Sequence, residues 1–109
     1  MKPFIVFLML ALASPVVSAQ FWSGNLLLQR LTSGSSMDVV NAYGYIIGVA
    51  DATNGNGQHC VPNGVTVRQL SDVVQRFLEN VPEMRHGPAD SFVNVALRNA
   101  WPCKSRSSL

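Results

Sequence analysis

The chain carries little charge of either sign: eight Lys and Arg against six Asp and Glu in 109 residues, a formal net charge of +2. Nucleic-acid binding needs a basic face that displaces the counterions around phosphates, and a near-neutral chain does not supply one. Apolar runs are short. The longest unbroken one, Phe4 to Ala13, falls well below the roughly 20 residues that cross a bilayer. No glycine-rich loop leads into a basic helix start, since Asn54-Gly55-Asn56-Gly57 is followed by none, so a phosphate cradle is excluded. There is no internal repeat. Cysteine is limited to Cys60 and Cys103. A zinc site would have to be completed by His59 and His86, at spacings that match no metal motif. No metal and no cofactor is expected.

The first residues have the order of a secretory signal. Lys2 precedes the apolar run, Ser14-Pro15 breaks it, and Val17-Ser18-Ala19 offers small residues to a signal peptidase. Cleavage after Ala19 is predicted, which makes 1–19 a signal peptide and 20–109 one small domain. Its polar end, from about residue 104, is expected to fray. Lys2 is the only charged residue in the leader, so the mature net charge falls from +2 to +1. Export places the two thiols in an oxidising compartment, where they are expected to pair as Cys60–Cys103. In the chain-entropy account a loop of that size contributes roughly 4 kcal/mol, a large share for so small a domain.

Four helices are predicted, making the domain all-α. The first spans about Asn25 to Leu31. The second runs from about Met37 to Ala52, capped by Ser35 or Ser36, with Val40, Tyr43, Ile47 and Ala50 on one face. Gly44 and Gly48 are four apart on another face and suit a closely packed neighbouring backbone. Its β-branched content would also suit a strand, but the run is too long for one. The third begins at a capping box, Thr66-Val67-Arg68-Gln69, and turns Leu70, Val73, Val74, Phe77 and Val81 to one side. Asp72 and Arg76 stand four apart in the favourable order. Pro82 ends it. The fourth is expected to take Pro88 as its first residue. Ala89, Phe92, Val93, Ala96, Leu97, Ala100 and Trp101 form its stripe, and Pro102 stops it. A short connection makes the last two helices antiparallel, so Cys60, before one, and Cys103, after the other, fall at the same end.

Chemistry-bearing residues are sparse. His59 beside Cys60 resembles a base next to a nucleophile, yet adjacent side chains rarely meet and the disulfide claims the thiol. The six carboxylates are scattered. Asp51, at the end of the second helix, is expected to hold the loop that follows by hydrogen bonds. Trp22 is either a core anchor or a partner contact. No active site emerges, and the chain reads as a binding scaffold, not an enzyme. The contact residues expected from loop exposure are Asn54, Asn56, His59, Arg85 and His86.

Several segments carry a family resemblance. Gly44-Tyr45-Ile46-Ile47-Gly48-Val49-Ala50-Asp51-Ala52 and Cys60-Val61-Pro62-Asn63-Gly64-Val65-Thr66-Val67-Arg68-Gln69-Leu70 resemble stretches of the Rap1a/Tai immunity family. Phe77-Leu78, Pro82-Glu83 and the ending Ala96-Leu97…Ala100-Trp101-Pro102-Cys103 fit as well. The resemblance implies an HdeA-like helical architecture and a periplasmic protein. Such a protein binds and inhibits a peptidoglycan amidase toxin of a type VI secretion system. It implies Cys60–Cys103 as the family disulfide, and some members act as homodimers. Relatives with further cysteines place them near positions matching Arg30 and Ala42, so the first helix is expected to be less firmly tied here. An alternative from the same architecture is an acid-stress chaperone, which the few carboxylates serve poorly.

Overall fold

The computed structural model describes residues 21–56 and 58–104. The signal peptide expected at 1–19 and the chain beyond residue 104 lie outside them. Four helices form: α1 (Gly24–Leu31), α2 (Ser36–Thr53), α3 (Val67–Glu79) and α4 (Ala89–Ala100). There is no strand among the described residues, only isolated bridges at Ser23–Pro88 and Asn54–His59. Each helix packs against the other three. The domain is all-α, closed by the Cys60–Cys103 disulfide, with Cα atoms 4.9 Å apart. Beside it the Cys60 amide donates to the Trp101 carbonyl at 2.9 Å. Among the described residues no helix is long and apolar enough to cross a membrane.

The capping box at α3 forms as its sequence dictates. Thr66 Oγ1 accepts from the Gln69 amide at 3.1 Å, and Gln69 Oε1 accepts from the Thr66 amide at 2.8 Å. Inward from it, Ser71, Val74 and Leu78 are buried, flanked by half-buried Leu70, Val73, Phe77 and Val81. The core line of α3 thus includes Ser71 and Leu78, which the apolar stripe alone does not pick out. The Asp72–Arg76 pair does not close; Arg30–Asp38, at 3.4 Å, is the ion pair formed among the described residues.

In α2 the buried line is Ala42, Ile46 and Ala50, not the face through Val40, which is 63% exposed. This helix is apolar nearly all round, so periodicity cannot choose its inner face. The alanines choose it, because they let the helix axis come close to α1 and α4. Gly44 and Gly48 then point outward, and a Cβ at either would meet nothing within 4 Å. The neighbouring backbone expected there is absent from the described chain.

Pro88 caps α4 from outside, at φ −69° and ψ 135°, and Ala89 is the first helical residue. Ala89, Phe92, Val93, Ala96 and Leu97 are buried, Trp101 is half-buried and Ala100 is exposed. Without further cysteines, α1 is nevertheless held by backbone. Gly24 N donates to Gly87 O at 2.9 Å, Asn25 N to Arg85 O at 2.8 Å, and Ala89 N to Trp22 O at 2.9 Å. The approach is so close that a Cβ on Gly24 would lie 2.8 Å from Phe92 Cδ2 and 3.0 Å from Arg85 O. Trp22 stacks on Tyr45 with ring centroids 4.7 Å apart and planes 4° from parallel, and the Arg30 guanidinium covers the Trp22 ring at 4.9 Å.

Candidate functional site

Two features meet at the C-terminal half of α2. The first is an open groove of about 410 Å³ between α2 and α4. Gly44, Tyr45, Gly48 and Val49 line it from α2, and Asp90 and Asn94 from α4. The glycines leave it open: a Cβ at 44 or 48 would meet nothing within 4 Å. Asp90 stands in the first turn of α4, where the helix dipole favours a carboxylate. Among the described residues it has no cationic partner within 4.0 Å. Burial, and next the Asp90 charge, push the Tyr45 phenol up. Further along the outer face of α2, Met37 is 71% exposed and Val40 63%.

The second feature closes the groove's end. Thr53 Oγ1 lies 2.8 Å from Val49 O, 2.9 Å from Asn94 Oδ1 and 2.7 Å from His59 Nε2. The other ring nitrogen, Nδ1, lies 3.2 Å from Asn54 Oδ1. That oxygen also accepts from the Val61 amide at 3.0 Å, so it is an acceptor toward the ring, and Nδ1 carries a proton. In the neutral imidazole Nε2 then accepts from the Thr53 hydroxyl. The Gly55 amide donates to His59 O at 2.9 Å. One side chain and its carbonyl thereby fasten the loop to the end of α2 and to α4.

This arrangement corrects the loop reading at one residue. His59 is fully buried, not displayed, and its burial pushes the imidazole down. Asn54 and Asn56 are exposed, although Asn54 spends its carbonyl on Val61 and His59; His86 is exposed and Arg85 half-buried. Arg85 Nη1 donates to Leu78 O at 3.1 Å, closing the C-terminal end of α3. Arg85 and His86 precede α4, whereas Gln58 meets Arg98 in its last turn at 3.5 Å. The two loops therefore flank opposite ends of α4 and do not form one patch. The Asp51 side chain is exposed and makes no hydrogen bond to the described residues; Thr53 and Asn54 hold the loop instead. The signal for them was available in part, because Thr and Asn at a helix end are residues that bond locally. Asn94, 41 positions away from Thr53, gave none.

The sulfur of Cys60 is bonded to Cys103, which leaves no thiolate for His59 to activate, and the ring faces away to Thr53 and Asn54. The described surface offers shape and hydrogen bonds, not a nucleophile with its base. A family model for Rap1a immunity proteins matches residues 23–103. No curated protein matches the chain.

Proposed function

The chain belongs to the Rap1a immunity protein family, and from that premise we propose that it is a periplasmic immunity protein of a type VI secretion system. It protects its own cell by binding a protein toxin, a peptidoglycan amidase, and blocking it. The family match over residues 23–103 carries the reading. An inhibitor needs a rigid, stapled scaffold and an open contact face, and it needs no reaction centre of its own. The groove on α2 and the loop at its end fit that duty. Gly44 and Gly48 leave room for a side chain of the toxin, while Asp90, unpaired among the described residues, favours a segment that carries Lys or Arg. Asn54 and Asn56, at the same end of α2, extend the contact.

The test is co-expression of the full chain, leader included, with periplasmic amidase toxins one at a time. Protection from lysis by one of them, and a stoichiometric complex with it, are the expected results. Equal lysis with and without this chain for amidases, together with protection against a toxin of another chemistry, would overturn the amidase assignment and leave the immunity role.

A further inference from the structure

His59 has no part in that contact, yet it is a fully buried ionisable ring at the junction of three segments. We propose that His59 is an acid-operated latch: neutral, it pins the loop after α2 to α2 and α4, and protonated, it releases that loop and loosens the end of the domain beside the disulfide.

The geometry gives the two states. With the ring neutral, Nδ1–H donates to Asn54 Oδ1 and the Thr53 hydroxyl donates to Nε2. A second proton on the ring turns Nε2 into a donor. Thr53 must then swing its one proton to Val49 O or Asn94 Oδ1, at 2.8 and 2.9 Å. Hydrogen bonds survive the exchange, but the charge does not find a counter-charge. Both ring partners are neutral, and among the described residues no carboxylate lies within 4.0 Å of either ring nitrogen. From α2 the nearest acid in sequence, Asp51, is exposed; α4 offers Asp90 and Arg98, both exposed; α3 has Arg68, Asp72, Arg76 and Glu79, all exposed; and past α4 stands exposed Lys104. The carbonyl end of α2 attracts a cation, but that effect is smaller than the cost of an unpaired charge removed from water. Burial accordingly lowers the folded pKa of His59.

The sign follows. The folded form binds a proton less readily than the opened form, so stability is complete above the ordinary histidine value near pH 6.5 and is lost as pH falls through the folded value. Between those two values the opening constant rises about tenfold per pH unit. This window opens near pH 6.5, above the range where carboxylates titrate, which separates the onset of the latch from general acid unfolding.

The experiment uses the mature chain and its His86→Gln variant, in which His59 is the remaining histidine. Hydrogen exchange is measured between pH 7.5 and pH 5 and corrected for intrinsic rates. Protection at Gly55, Cys60 and Val61 is expected to fall about tenfold per pH unit below pH 6.5, while the ring signals of the folded His59 titrate only at lower pH. Amides in the middle of α3, such as Val74, are expected to keep theirs. His59→Gln, which cannot take the charge, should show no such fall; if that variant does not fold, the exchange data on the His86→Gln chain decide alone. Protection at Gly55 and Val61 that is flat to pH 5, or a folded His59 ring that titrates at or above pH 6.5, overturns the proposal.

Discussion

Replacing Gly44 and Gly48 by alanine together is expected to stabilise the domain. Both glycines sit in the interior of an 18-residue helix. There each costs about 0.5–1 kcal/mol relative to alanine through backbone entropy. Normally a close neighbour offsets that cost, but here a Cβ at either position meets nothing within 4 Å. No steric term opposes the gain, so the pair should add roughly 1–2 kcal/mol. For a domain of this size that is a rise in Tm on the order of 5–15 °C. Thermal melts followed by circular dichroism read it directly. Gly24→Ala is the internal control. Its Cβ would meet Phe92 Cδ2 at 2.8 Å and the Arg85 carbonyl at 3.0 Å, so it should destabilise by about 1–3 kcal/mol. A fall in Tm for the Gly44/Gly48 pair would refute the reasoning and mean that α2 packs these positions after all. The proposed docking adds a second readout. Gly48→Leu fills the groove, so it should weaken toxin binding at least tenfold while the fold stays intact.

Ser71→Ala should raise stability by about 1 kcal/mol, because Ser71 Oγ is buried without a hydrogen-bond partner; urea unfolding checks this, and a loss of stability would mean that the hydroxyl is satisfied. Thr66→Ala removes one arm of the capping box and should cost about 1 kcal/mol, read in the same assay. Cys60→Ala with Cys103→Ala should cost about 4 kcal/mol in the chain-entropy account, and denaturant unfolding with a lowered midpoint and a slope that does not fall, since the freed unfolded chain is less compact, would confirm it. Asp90→Lys should leave Tm within a few degrees yet impair protection from the toxin; full protection would exclude the α4 rim as a contact.

How far the sequence spoke for the structure varied with the physics of each element. Helix α3 was legible because its signals agree: a capping box, a clear wet side and a proline stop. The disulfide was legible because two cysteines flank an antiparallel helix pair. The inner face of α2 was not, since nearly every face of that helix is apolar and the choice rests on where small side chains let neighbours approach. His59 was misplaced because its neighbours in sequence are polar, and polar loops usually face water. What buries it is Thr53, reaching Asn94 across a separation of 41 positions, and pairings of that kind leave no periodic trace. The backbone strap on α1 was equally silent, because Gly24 and Gly87 look like ordinary loop glycines until Phe92 is placed against them.

The disulfide has a consequence for the order of assembly. A chain is made from its N-terminus, and Cys103 follows Cys60 by 43 positions. Until it arrives, Cys60 has no partner. Helix α4, which supplies Phe92, Val93, Ala96 and Leu97 to the core, arrives only shortly before. The first three helices therefore have neither their staple nor their largest packing surface while they wait. The core cannot close until α4 is made, and a premature encounter of Cys60 with a thiol of another molecule is the error this chain is most open to before Cys103 follows.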